Sequence, residues 1–404
     1  MEQAKIDYRE LLSETGKSLT PNAIRKLTPL VLRSDVISLA AGAPSPDVFP
    51  LEELSEITAH LIKERGRLSL QYGPTRGNKK LVEQVGELMH ERGVEVNVPS
   101  DIVITSGSQQ GLDLAARVVL DPGDVALVEL PSYVGGTIAL HNSRAELMGV
   151  RQDESGIIIE DLLEKLHRER AAGRKIKCFY TIPNFQNPSG VTLAEERRHE
   201  LVRIAREYDF LIFEDDPYYE LHFDEKAAQP PPLAQLAPER VIYMSSFSKI
   251  LAPGFRAAWL CAPEPIASKI ELMKEGADLS SSQLDMAIVS DAIARGLVER
   301  RLPDLRNFYS LRCRMMLDTL ESRAPAGWHW TKPRGGFFVL LEGPRGFDAT
   351  TFLPKALEAG VAFVPGQPFF VDSSGANTLR LAFSKETPEN ISDGIRRLCD
   401  AIRN

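Results

Sequence analysis

Residues 245–256 read Ser245-Ser246-Phe247-Ser248-Lys249-Ile250-Leu251-Ala252-Pro253-Gly254-Phe255-Arg256. They follow a short apolar run, Val241-Ile242-Tyr243-Met244, whose pattern predicts a buried strand. Hydroxyls and a lysine at the carboxyl end of a strand lie where an α/β sheet exposes its chemistry. Pro253-Gly254 breaks the chain direction, so Arg256 can return toward Ser246. Two hydroxyls, a lysine and an arginine in one place suit an anion together with a reactive amine. Lys249 could then contact a phosphate, carry an ordinary solvated charge, or act as a Schiff-base nucleophile. Partners elsewhere in the chain decide among these.

Upstream, strand and helix signals alternate, which predicts a mostly parallel, doubly wound sheet. Ile102–Thr105, Val125–Val128, Cys178–Ile182, Phe210–Phe213, Val241–Met244 and Arg256–Cys261 read as strands. Leu51, Leu54, Ile57, Leu61 and Ile62 recur at helical spacing, as do Leu81, Val82, Val85, Leu88 and Met89. Thr192 and Glu195 read as the capping box of a further helix. Beyond residue 300 the pattern changes. A long amphipathic helix from about Pro303 to Arg323 leads to strands at Phe337–Leu341, Val361–Val364 and Leu379–Phe383 and to a last helix from about Glu389. The expected organisation is an N-terminal arm with part of a small domain (1–45), a large domain (46–302) and a small C-terminal α+β domain (303–404).

The composition narrows the function. With 404 residues, 43% hydrophobic and 26% charged, the chain has ordinary globular proportions. Its net charge of −8 argues against nucleic-acid binding as the main task. Cys178, Cys261, Cys313 and Cys399 are widely spaced, which suits a reducing, cytoplasmic compartment. The seven histidines never fall at metal-ligand spacing, so no metal is expected. Met1-Glu2-Gln3-Ala4-Lys5 lacks the apolar core of a signal peptide, and no uncharged run reaches membrane-spanning length.

Three other strand ends, and one position inside a strand, carry polar residues of complementary type. Ser108 and Gln109 open a helix after a strand, an arrangement that seats a phosphate. Asn184 and Asn187 lie in the turn Pro183-Asn184-Phe185-Gln186-Asn187-Pro188-Ser189-Gly190. Asp215 ends an apolar strand, with Tyr218 three residues on. Arg380 sits within Leu379-Arg380-Leu381-Ala382-Phe383, where a buried guanidinium needs an anion, either a structural or a substrate carboxylate.

In this order, the motifs closely resemble those of the fold-type I pyridoxal-phosphate (PLP) aminotransferases of class I/II. The resemblance covers essentially the whole chain and is greatest to the branch containing 2-aminoadipate, kynurenine and aromatic aminotransferases. It implies the fold-type I architecture, an α/β large domain with a mostly parallel seven-stranded sheet between helices plus a smaller α+β domain. It implies that Lys249 holds the cofactor as an internal aldimine and later shuttles the substrate proton. Asp215 would pair with the pyridine nitrogen, Asn187 and Tyr218 with the phenolic oxygen, and Tyr133 would stack on the ring. Ser108, Gln109, Ser246 and Arg256 would hold the phosphate, with Ser248 a further contact. Tyr72 resembles a residue that reaches the phosphate from a partner subunit, implying a homodimer with shared sites. Arg380 would clamp the substrate α-carboxylate, helped by Asn187 and the main chain near Gly42. Arg25 falls where this branch carries an arginine able to meet a distal carboxylate, and a solvated arm charge is the other reading.

The expected reaction moves the amino group of an L-amino acid, such as 2-aminoadipate, glutamate or an aromatic or aliphatic one, to a 2-oxo acid. The expected acceptor is 2-oxoglutarate, in a ping-pong order. A carbon–sulfur β-lyase on the same scaffold and a non-catalytic PLP-sensing effector domain are the alternatives.

Overall fold

Apolar runs with no polar face become the inner strands of a sheet covered on both sides. The computed structural model describes residues 6–19, 35–224 and 229–404. After β1 (Ile37–Ser38) come β2 (Ile102–Thr105), β3 (Val125–Leu130), β4 (Glu146–Asp153), β5 (Gly156–Ile157), β6 (Ile176–Thr181), β7 (Leu211–Asp215), β8 (Val241–Ser246) and β9 (Ala258–Cys261). Strands β2 to β9 form one eight-stranded sheet in the order β2-β9-β8-β7-β6-β3-β4-β5. The inner pairs β4·β3, β3·β6, β6·β7 and β7·β8 are parallel, whereas β9 runs against both β8 and β2. The carboxyl ends of β2, β3, β6, β7 and β8 therefore open on one edge. Because β9 is reversed, its amino end, just after Arg256, lies there too.

The C-terminal region adds β10 (His329–Trp330), β11 (Phe338–Glu342), β12 (Val361–Ala362), β13 (Val364–Pro365) and β14 (Thr378–Ala382). Strands β10, β11, β14 and β13 form an antiparallel sheet in that order. β1 pairs with β12, and the Ala382 N–H donates to Leu39 O at 2.7 Å. This carries the Ala40–Ala43 turn alongside the end of β14. Of the N-terminal arm, a short helix at Glu14–Ser18 is described, capped by Ser13.

Several expectations need correction. The large sheet has eight strands, not seven, the extra one being the two-residue β5. β4 was not expected from the sequence because Glu-Leu-Met-Gly-Val-Arg-Gln-Asp mixes polar residues throughout a half-exposed strand near the sheet edge. A helix at Val134–Asn142 likewise lacks an apolar stripe. The helix expected from Pro303 runs Leu297–Arg323, with Gly296 in the left-handed region before it and Pro303 inside its early turns. The capping box does not form: the helix starts at Glu195 after Ala194, and Thr192 Oγ1 accepts from the Phe185 N–H instead. Arg256 does not begin a strand but closes a one-turn 3-10 helix, Pro253–Phe255, with φ +48°. Val361–Val364 divides between two sheets.

Candidate active site

Strand alternation and register sort the residues at the open edge onto two faces. Tyr180 stands opposite Phe213, and Asp215 opposite Met244. Tyr180, Phe213, Asp215, Met244 and Ser246 thus share one face. Thr181, Glu214, Tyr243 and Ser245 share the other. The first face carries the convergent site residues, and the second carries a buried polar network that supports them.

On the first face, Asp215 ends β7 and is 2% exposed. Its Oδ2 accepts from the Tyr180 hydroxyl at 2.9 Å. Its Oδ1 has no hydrogen-bond partner among the described residues. Burial, and then the Asp216 charge, push the carboxyl up to about 7, against the Tyr180 hydrogen bond and the Lys249 charge. Lys249 lies in the turn after β8, with Nζ 5.7 Å from the ring centroids of both Tyr218 and Phe337. Burial lowers its ammonium to about 8, helped by the positive charges of Arg256 and Arg380 and opposed by Asp215. Tyr218 is buried edge-on to Phe337 and Phe338.

The anion cradle is built at the ends of β2 and β8. Gly107 has φ +89° and precedes the helix Ser108–Val119, so the N–H groups of that first turn, at Ser108 and Gln109, point toward the edge. A Cβ on Gly107 would stand 2.0 Å from Arg256 Nη2, so only glycine lets the guanidinium lie against this turn. Arg256 Nη2 also donates to Ser106 O at 3.4 Å. The Ser246 hydroxyl donates to Ser248 Oγ at 2.7 Å and accepts from the Ser248 N–H at 3.0 Å. Gln109 Nε2 donates to Gly135 O, beside the Tyr133 ring.

Arg380 comes from β14, on the smaller sheet, and is 4% exposed. Its Nη1 donates to Asn187 Oδ1 at 3.0 Å and its Nη2 to Ala40 O at 2.9 Å. Its guanidinium lies over Phe338, 4.5 Å from the ring centroid. Gly42 backs onto the same ring, with Arg380 Nη2 beside it. Among the described residues no carboxylate pairs with Arg380, and its Nε is buried without a partner. Burial alone lowers it to about 10.

The two asparagines of the Pro183–Gly190 turn part company. Asn187 faces Arg380, whereas Asn184 donates to both oxygens of Asp216 and accepts from Arg198 Nη2. Arg92 completes this lower network through Tyr243 at 2.6 Å and Glu220 at 2.9 Å. Three supporting residues were not singled out from the sequence. Tyr180 is one. Glu129 and Gln186 are the others: Glu129 accepts from Thr181, Ile182 and Gln186, and Gln186 binds Pro131 and Ser189, which holds the turn bearing Asn187. An acid and a tyrosine within otherwise apolar strand runs were the available signals. Tyr72 is 79% exposed and is not brought to this cluster within the chain. Arg25 lies outside the described residues.

Lys249, Asp215, Tyr218, Tyr133, Asn187, Arg380 and the cradle thus converge on one space. The donor set fits pyridoxal phosphate. An unpartnered buried carboxylate oxygen suits a protonated ring nitrogen, a depressed lysine suits an imine-forming amine, and Arg256 with a helix start suits a phosphate.

Residues 34–398 match aminotransferase class I and II. The chain belongs to that family. This aminotransferase uses pyridoxal phosphate as cofactor. It is 40% identical to aromatic-amino-acid aminotransferase 1 of Thermococcus litoralis, over 100% of this chain and 96% of the relative. A crystal structure of Pyrococcus horikoshii kynurenine aminotransferase in complex with PMP, kynurenine and its product superimposes with a TM-score of 0.93 at 38% identity, covering 98% of each chain. LysN, the α-aminoadipate aminotransferase of Thermus thermophilus, complexed with N-(5′-phosphopyridoxyl)-L-leucine, gives 0.90 at 36% identity, again over 98% of each. The four cysteines of this aminotransferase are free and buried. No helix among its described residues is long and apolar enough to cross a membrane.

Proposed function

We propose that this aminotransferase moves the amino group of aromatic and 2-aminoadipate-type L-amino acids to 2-oxoglutarate in a ping-pong order. The observation that carries this reading is Arg380: a buried guanidinium with an idle Nε and no protein carboxylate among the described residues, its charge within reach of Lys249. Such a group awaits a carboxylate, and its planar fork suits two parallel hydrogen bonds. The names of the relatives support the range of side chains.

Bound pyridoxal phosphate supplies an electron sink that acidifies the substrate α-C–H bond. Lys249 is the amine that carries the cofactor at rest. Once free of the cofactor, its neutral Nζ would take the proton from the substrate α-carbon, a task suited to an amine whose ammonium form is lowered to about 8. Asp215 Oδ1 holds the proton at the ring nitrogen. Asn187 and Tyr218 orient the phenolic oxygen, and Tyr133 covers the ring. Ser108, Gln109, Ser246, Ser248 and Arg256 hold the phosphate. Arg380, steadied by Asn187 and Ala40, holds the α-carboxylate near Gly42 and fixes which face of the substrate meets Lys249.

Tyr72 is exposed, as are Leu68 and Leu70 just before it in the chain, which supports a homodimer in which this tyrosine serves the partner's phosphate. The division into residues 1–45, 46–302 and 303–404 then places the Arg380 clamp and the cofactor cradle on separate units. A cytoplasmic location accords with the free cysteines.

The test is a screen of amino donors, followed as single half-reactions without acceptor. One turnover into the pyridoxamine form is expected, and addition of 2-oxoglutarate restores the starting form. Continuous release of ammonia and an oxo acid without acceptor would identify a lyase instead. In the same screen Arg25→Ala should impair 2-aminoadipate and spare phenylalanine. An unchanged ratio removes Arg25 from the site.

A further inference from the structure

We infer that Tyr180 is a positioning residue for the cofactor: its hydroxyl fixes Asp215 so that the proton shared with the ring nitrogen stays on the ring. The inference rests on the reading of Asp215 as the partner of that nitrogen.

Three observations carry it. First, the Tyr180 hydroxyl donates to Asp215 Oδ2 at 2.9 Å, leaving Oδ1 as a buried oxygen without a partner among the described residues. A carboxylate in water accepts at both oxygens, so a lone buried oxygen marks where a ligand donor belongs. Second, register places Tyr180 and Asp215 on the same face of adjacent parallel strands, so the bond follows from the sheet and not from a flexible loop. Third, the Tyr180 ring is clamped from above: a Cβ on Gly136 would stand 2.3 Å from it, so the helix Val134–Asn142 approaches closely over this ring. The phenol is thus rigid, fully buried and committed to one acceptor.

The charge balance gives the bond its consequence. Asp215 is raised by its own burial and by Asp216, and is lowered by Tyr180 and then Lys249. When Lys249 is neutral, Tyr180 is the remaining listener to the carboxylate charge on this face. Removing its donor makes Oδ1 more basic, and the shared proton moves from the ring nitrogen to the carboxyl. A neutral ring nitrogen is a poorer electron sink.

The test uses the full-length enzyme loaded with isotopically labelled cofactor, reading the NMR shift of the ring nitrogen, together with cofactor affinity measured by titrating the apoenzyme. Tyr180→Phe keeps the ring packing and removes the hydroxyl. It is expected to move the nitrogen signal toward the neutral pyridine value and to weaken cofactor binding about fivefold to tenfold, the scale of one net hydrogen bond. Para-aminophenylalanine at position 180, a weaker donor on the same ring, should fall between the two, and it carries the test by itself if the Phe variant does not fold. A nitrogen signal unchanged from the native enzyme in the folded variants overturns the inference. Asp215→Asn separates the two layers. If it shifts the nitrogen signal while the Tyr180 variants do not, Tyr180 alone is dismissed. If it leaves the signal unchanged, Asp215 is not the partner, and both readings fall.

Discussion

Arg380 Nη1 donates to Asn187 Oδ1 at 3.0 Å across 193 positions of sequence. The bond joins the smaller sheet to the turn after β6, and Arg380 lies near enough for its charge to act on Lys249. Asn187 holds one corner of the guanidinium, Ala40 O holds another, and Nε is left over. Replacing Arg380 by Lys removes the fork and leaves Asn187 Oδ1 and Ala40 O competing for one ammonium. We expect kcat/KM to fall about a hundredfold for every amino acid alike, within the range seen when one partner of a buried charge pair is lost. Steady-state kinetics on an acidic, an aromatic and an aliphatic donor check this, and selective loss of one class would contradict it.

Lys249→Ala should remove the visible absorbance of the lysine-bound cofactor together with turnover. The apoenzyme offers a second measurement. Lys249 is lowered from 10.5 to about 8, so the folded state carries a penalty that is complete below about pH 8. Between about pH 8 and 10.5 the unfolded chain binds the extra proton, and stability rises with pH. Lys249→Met should therefore stabilise the apoenzyme at neutral pH by on the order of 3 kcal/mol or less and flatten this rise. Thermal melts of both apoproteins across this pH range decide it.

Gly107→Ala should damage the anion cradle specifically. The added Cβ meets Arg256 Nη2 at 2.0 Å, and φ +89° disfavours any side chain. The guanidinium has to swing away from the helix start. Cofactor affinity of the apoenzyme is expected to fall at least about tenfold, as for loss of a charge-assisted contact. A Gly107→Ala enzyme that binds cofactor normally would remove Arg256 from the phosphate site.

Arg92→Met tests the network on the other face of the sheet. Arg92 is buried and bonded to Tyr243 and Glu220. Methionine keeps much of the stem packing but leaves Glu220 and Asp216 short of positive charge. A loss of about 3 kcal/mol or more is expected in chemical denaturation, typical of one partner removed from a buried pair. Adding Tyr243→Phe should cost less in the Arg92→Met background than in the native protein, because the two already share a hydrogen bond.

How far the sequence carries can be followed residue by residue. The run Val241–Met244 has no polar face, so a buried strand with Lys249 just past its carboxyl end follows from local pattern alone. The same logic placed Asp215 at a strand end and Ser108 and Gln109 at a helix start. It failed for β4, whose polar residues lie near a sheet edge, and for Thr192, whose hydroxyl found Phe185 instead of a helix cap. Pro303 suggested a helix start that Gly296 supplies two turns earlier.

By itself the sequence determined the type and order of the strand ends and the residue types they carry, because those depend on periodicity over a few neighbours. Only the tertiary structure decided which of those residues meet. Strand register put Tyr180 and Asp215 on one face, where they bond, and sent Glu214 and Tyr243 to the opposite face. A turn held by Glu129 and Gln186 turned Asn187 toward Arg380 and Asn184 toward Asp216. The absence of a carboxylate beside Arg380 among the described residues is also a tertiary fact. Such pairings join groups far apart in sequence, and local propensity does not encode which face of one strand will stand beside which face of another.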